Sequence, residues 1–521
     1  MLFHRLLLTT SALIMATGLI SQDLDGLILL TDLEFNSEFE EMIFKRLDLD
    51  QEVAFEDLYL GIDVASESEA KRYKSRLAAL MNELKMSGVQ EKNEKKQVKM
   101  IYKETHETLM SRYEEDANFP ELFKKGDFNC VTGSIVYSLI FGEFDIPYVI
   151  QKGMNHVYII VFPETYTIVV ETTDSEAGLT TLNNNVKEDF VENLARGKMI
   201  SEEEKINSSI ASIFQQYALE ESQIDEYELA SYQYSNRGLV KLSNLDYEGA
   251  FSDFEKAFFL KPSIELAAIL LQTGGVVLHM SDYSDLSHVV MLGKLSRFSE
   301  FGITEDDVMY EFERITEKTY HDRSDLEKYE DAFMTLSAML ENELLLKKIS
   351  YSYYREIIES LLNEKDLGGT VPYLYELYKL DTTASESKKM IRDLIINEIN
   401  QSISPPPEQL TLLDQYRSEF SEVFEMPLMN LFELHLMVRS AEYWFDQGKP
   451  ELGNQQLDQF EKNVEGNGEI NKIALDIQSA YVTAAYYYYN QGNVRKTREY
   501  LKRGLSVIPD SYKLKNLQRS I

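Results

Sequence analysis

A single cysteine, Cys130, stands in the 521-residue chain, within Gly126-Asp127-Phe128-Asn129-Cys130-Val131-Thr132-Gly133, where a polar stretch gives way to an apolar helical pattern. A histidine, His156, follows on one β-rich segment, and an acid, Glu171, on the next. A thiol at a helix start faces unpaired backbone N–H groups and the positive end of the helix dipole, and both favour the thiolate. An imidazole beside it would lower the thiol's pKa further and take its proton. A carboxylate on the other ring nitrogen would orient that imidazole. This is the Cys–His–acid chemistry of nucleophilic acyl transfer. The backbone N–H of Cys130 would help hold a developing oxyanion. The competing reading is a small buried residue with no chemistry, as free cysteines often are.

The elements around these residues must bring them together. Cys130 to Phe141 reads as a helix, with Val131, Ile135, Leu139 and Ile140 on one face. Pro147 precedes a strand at Tyr148-Val149-Ile150, and Val157 to Phe162 and Thr167 to Val170 read as a hairpin around Pro163-Glu164. A turn centred between Pro163 and Glu164 sets Ile160 opposite Thr167, Tyr158 opposite Val169 and His156 opposite Glu171. Opposed side chains on an antiparallel pair start about 5 Å apart at Cβ, so this register predicts a His156–Glu171 contact.

Asn129-Cys130-Val131 before an apolar helix, then Asn155-His156-Val157-Tyr158, then Val170-Glu171-Thr172-Thr173, resembles the transglutaminase-like superfamily. More narrowly, it resembles the bacterial type with C-terminal tetratricopeptide repeats. The resemblance implies a papain-like α+β domain with Cys130 as nucleophile, His156 as base and Glu171 as orienting acid; Asp174 is the alternative acid. It implies a cysteine peptidase, amidase or acyltransferase, with hydrolysis of an amide or peptide bond favoured. The alternative is a non-catalytic interaction module that retains the fold. Many members have a Trp close to the site, whereas the only Trp here is Trp444.

The rest of the chain reads as helix. Tyr234, Gly238, Ala250, Phe254, Ala257 and Pro262 fall at the large and small positions of a tetratricopeptide unit, near residues 231–264. Tyr481, Ala485, Tyr488, Gly492, Leu501 and Pro509 repeat those offsets, and Tyr443, Gly448, Leu457 and Phe460 form a weaker copy. The expected organisation is a leader over 1–21, an N-terminal helical region over 22–98 and a transglutaminase-like domain over 99–199. Helical repeat blocks over 200–403 and 404–521 follow, with Ser404-Pro405-Pro406-Pro407 as the break between them. Lys92 to Lys99 reads as a solvated connector and Met100 to Tyr113 as a helix. Stacked helical repeats predict a protein or peptide partner.

Met1 to Ser21 hold Arg5 and an apolar run from Leu6 to Ile20, the pattern of an export signal cleaved after Ser21. That predicts an exported protein, periplasmic, in the cell envelope or secreted, which the lone cysteine leaves without intrachain disulfides. The chain carries a formal charge of −36, and loss of the leader's one arginine makes it −37. Such acidity argues against nucleic acid and anionic lipid as partners. No second membrane span is expected: Ile264 to Met280 comes nearest and is broken by Glu265, Gln272 and His279. His106, His279, His288, His321 and His435 are scattered without metal-ligand spacing, and no Gly-rich phosphate loop occurs, so neither metal nor cofactor is expected.

Overall fold

A computed structural model describes residues 24–153, 156–174, 178–182, 184–220, 223–322, 324–381, 385–465 and 468–521. The expected leader and its cleavage point lie outside the described residues, as does Asn155. The chain forms two compact units, one ending at Glu341 and the other spanning Asn342–Ile521. Both are mostly helical, and among the described residues the strands all lie in the first.

The boundaries expected at 98/99 and 199/200 fall inside the first unit, for a physical reason. The N-terminal segment is fastened to helices more than 170 residues away. Its helix α1 (Glu38–Asp48) carries Glu40, whose carboxylate accepts from Lys256 at 3.0 Å, both side chains being buried. Asp32 pairs with Arg297, and Arg237 donates to Asp63 at 2.8 Å and to the Ile62 carbonyl at 2.7 Å. The ions of the Glu40–Lys256 and Asp32–Arg297 pairs are buried and are held only where partners meet them, so these pairs fix the segment in place.

The residues read as a connector, Lys92–Lys99, form the start of helix α2 (Glu94–Leu109), capped by Asn93 accepting from the Lys96 N–H. That helix ends before Arg112, which with Tyr113 forms strand β1, paired in parallel with β2 (Asp127–Phe128). Helix α3 (Cys130–Glu143) follows directly. Asn129 caps it, accepting from the Thr132 N–H at 3.0 Å while Thr132 Oγ1 accepts from the Asn129 N–H at 2.8 Å. This reciprocal cap fixes the helix start at Cys130. The Asn129 amide also donates to the carbonyls of Glu115 and Ala117, tying the cap to the preceding loop.

A five-stranded antiparallel sheet packs against α3, in the order β6–β5–β4–β3–β7. Its members are β3 (Tyr148–Lys152), β4 (Val157–Val161), β5 (Ile168–Val170), β6 (Leu179–Thr181) and β7 (Gln223–Ile224). Strand β7 lies beyond residue 199 and pairs with β3, so the sheet does not close within 99–199. It leads straight into α4 (Glu226–Ser243), which packs on α5 (Tyr247–Leu260), followed by α6 (Ile264–Met280) and α7 (Ser287–Ser296). A Cβ on Gly238 would come within 2.6 Å of the Phe254 ring, so the α4–α5 crossing requires glycine there.

The second unit is a run of helices on one core that includes Leu413, Phe432, Phe460 and Tyr481. Pro406–Glu419 is a helix that opens on Pro406 and Pro407. Proline is well suited to a helix's first turn, so the expected break is a helix start inside this unit. Helices Pro427–Asp446 and Pro450–Asn463 pair as a hairpin, as do Ala474–Asn490 and Val494–Val507.

Candidate functional site

The hairpin register differs from the expected one by two residues. Ile159 pairs with Val170, Ile160 with Val169 and Val161 with Ile168. The connection between the strands is wider than a turn at Pro163-Glu164. Phe162 and Thr167 both adopt left-handed backbone, and the Phe162 carbonyl accepts from the N–H groups of Thr165, Tyr166 and Thr167. Side chains alternate with period two along a strand, so a slip of two keeps His156 and Glu171 on one face. They meet on a diagonal instead of directly across.

His156 Nε2 lies 2.7 Å from Glu171 Oε2 and 2.9 Å from Oε1. With Nε2 committed to the carboxylate, Nδ1 is the nitrogen left for a reacting proton. The carboxylate is held in turn: Oε1 accepts from Thr173 Oγ1 at 2.7 Å and from the Thr173 N–H at 3.2 Å. Both side chains of the pair are about one-third exposed, at 35% and 33%, so they are reachable from solvent. Asp174 is exposed, and its main-chain carbonyl accepts from the Tyr102 hydroxyl; the carboxylate on His156 is that of Glu171.

Cys130 is half-buried at the first position of α3, beside β4. The backbone N–H groups of Val157, the residue after His156, of Val131 and of Cys130 itself favour its anion. The thiol is nevertheless pushed up from its ordinary value. Burial is the main cause, with the charge of Glu171 adding to it. The helix-start argument predicts the opposite direction; it omits the desolvation that comes from packing α3 on the sheet.

A close approach locks the helix against the acid's loop. A Cβ on Gly133 would fall 2.7 Å from the Thr172 side chain, and the Thr172 hydroxyl faces the Cys130 carbonyl at 3.5 Å.

Two tyrosines not singled out from sequence lie near these residues. The Tyr158 ring lies near-parallel to the His156 ring, 18° apart, with centroids 6.3 Å apart. Tyr113, on β1, has its hydroxyl pushed up by burial and then by the charges of Cys130, Glu115 and Glu171. A two-residue strand pair gives almost no sequence signal, which is why Tyr113 reads as the end of a helix. Trp444 belongs to the second unit.

Cys130 and His156 open on a cleft of about 470 Å³. Cys130, Val131, Gly153, His156 and Val157 form one side. The other side comes from α4 and α6, including Tyr232, Asn236, Leu239 and Ile269. Among the described residues, no group of three or more His, Cys, Asp or Glu is arranged to hold a metal ion, and no helix is long and apolar enough to cross a membrane. His106 is buried, its Nδ1 2.7 Å from the Tyr137 hydroxyl, and His288 lies 3.0 Å from Glu248.

No protein-family model matches the chain, and no curated protein matches it. Among solved structures, a chain from "Structure of Naa15/Naa10 bound to HypK-THB" is similar at 13% identity and a TM-score of 0.15. The similarity covers 63% of this chain and 61% of that one, so this chain spans less than two thirds of its length.

Proposed function

We propose that the protein is an exported, transglutaminase-like cysteine hydrolase that acts on an amide or peptide bond through Cys130, His156 and Glu171. The observation that carries this reading is the carboxylate of Glu171 on His156 Nε2, with His156 and Cys130 lining one cleft.

The resting thiol is neutral, given its upward shift. His156 Nδ1 accepts its proton as Sγ attacks the carbonyl, and Glu171 stabilises the imidazolium that forms. The backbone N–H of Cys130, at the open start of α3, faces the developing oxyanion. His156 then returns the proton to the leaving amine, and water releases the acyl group. The leader pattern at Met1–Ser21 supports export, and the helical hairpins support a peptide or protein partner.

The test is a comparison of wild type with Cys130→Ala on a peptide library, read by mass spectrometry. The expected result is peptides cleaved or deamidated by the wild type alone, with His156→Ala equally inactive. Identical profiles for wild type and Cys130→Ala would leave the non-catalytic interaction module, which the upward shift of the thiol also favours.

A further inference from the structure

Resting on that reading, we propose that the face of α4 turned toward Cys130 is the binding wall for an extended polypeptide, neutral or basic, with an apolar residue beside the reacting bond. The substrate would then be a peptide or protein segment and not a small amide. The repeat hairpin would be part of the active site and not a separate adaptor.

The stripe of α4 in the cleft runs through Glu228, Tyr232, Asn236 and Leu239. Steps of three and four residues put these side chains on one helix face. Eleven residues of helix rise span about 16 Å. An extended chain advances about 3.3 Å per residue, so the stripe matches about five residues. A small amide would leave most of it uncovered.

The chemistry along the stripe suits a polypeptide. The Asn236 side chain makes no hydrogen bond among the described residues and offers a donor and an acceptor, the complement of a peptide group. Leu239 is 48% exposed, and with the half-buried Ile269 of α6 it gives the cleft an apolar surface. Tyr232 and Glu228 are braced: the Tyr232 hydroxyl donates to Glu228 at 2.8 Å, and Lys152 of β3 lies 3.7 Å from the same carboxylate. The wall is therefore fixed to the strand that adjoins His156.

Charge selects further. Lys261 is paired with Asp225 at 2.6 Å and Lys152 with Glu228. Glu115 and Glu265 also line the cleft, and neither has a cationic partner among the described residues. An acidic segment is therefore disfavoured.

The experiment measures alkylation of Cys130 in the full chain by two reagents with one warhead. One is chloroacetone; the other is an acetylated tetrapeptidyl chloromethyl ketone with leucines next to the warhead and one lysine. In both, sulfur displaces chloride and the thiol proton passes to His156. The peptidyl reagent is expected to react faster by about tenfold or more, the effect of burying one leucine side chain. Leu239→Glu and Asn236→Ala are each expected to lower the ratio of the two rates, and replacing the lysine with glutamate to lower it in the wild type. A wild-type ratio near one, or a ratio that neither variant changes, overturns the inference. Failure of the catalytic reading looks different: the chloroacetone rate would then not respond to His156→Ala.

Discussion

The hydroxyl of Tyr102 donates to the main-chain carbonyl of Glu171 at 2.8 Å. The same hydroxyl reaches the Asp174 carbonyl, so one side chain of α2 gathers the loop that carries the acid. A Cβ on Gly178 would overlap that hydroxyl and both carbonyls, so the gathering works only with glycine there. Burial, with the charges of Asp174 and Glu171, pushes the Tyr102 hydroxyl well up and keeps it a donor. Tyr102 is a positioning residue: it fixes Glu171, and Glu171 fixes His156. Tyr102→Phe keeps the ring stacked on Tyr137, 9° from parallel, and removes only the donor. One buried hydrogen bond is worth about 1 kcal/mol. On the proposed hydrolysis, Tyr102→Phe should lower kcat several-fold with KM little changed and move the alkaline limb of the pH–rate profile. A drop in melting temperature with kcat and that profile intact would reduce Tyr102 to a structural role.

The thiol gives a prediction of definite sign. With Cys130 pushed up by burial and by Glu171, its rate of alkylation by iodoacetamide should inflect above the ordinary thiol value of about 8.5. Glu171→Gln removes a negative charge near the sulfur, so the inflection should move down. A resting thiolate–imidazolium pair would behave oppositely, because the imidazolium would lose its partner and the inflection would move up. Rates measured between about pH 5 and 10 in both proteins distinguish the two resting states.

The position of Cys130 was legible because a polar stretch gives way there to an apolar run; the Asn129–Thr132 cap that fixes the helix start emerged only from the structure. The shared face of His156 and Glu171 was legible because strand parity survives a slip of two. The register itself was not, since Phe162 and Thr167 adopt left-handed backbone with no glycine to mark it. The extent of the first unit was hidden because it depends on pairs such as Glu40–Lys256, 216 positions apart. The tetratricopeptide offsets marked Tyr234 and Gly238 of α4 but carried no information on which of its residues would face Cys130. The thiol's direction depends on desolvation, which exists only once α3 is packed.

Glu255 makes stability depend on pH in an unusual sense. It is 2% exposed and lies 2.8 Å from Lys294; burial, reinforced by Asp32 and Glu34 against the pull of Lys294, raises it to about 7. A carboxyl raised on folding binds its proton more tightly when folded. Its contribution is therefore full below the unfolded value near 4.5 and is lost as pH rises through about 7. The span corresponds to at most about 3 kcal/mol. Melting temperature should fall between pH 5 and pH 8, and Glu255→Gln should flatten that fall. An unchanged slope in the variant would show that Glu255 does not titrate in this range.

The pair Glu40–Lys256 tests how the N-terminal segment is held. Both side chains are buried, at 0% and 1% exposure, and Glu40 also accepts from the Asn36 N–H at 2.6 Å. Lys256→Met leaves a buried carboxylate without its cation, which costs about 3–5 kcal/mol. Pairing it with Glu40→Gln removes the stranded charge while keeping an acceptor for Asn36, so the double variant should regain most of the loss. The segment itself should register the change: residues 24–64 should become sensitive to limited proteolysis in Lys256→Met and be protected again in the double variant. Equal destabilisation of the single and double variants would mean that packing around Phe35, Phe44 and Tyr234, and not the ion pair, fastens the segment to α4 and α5.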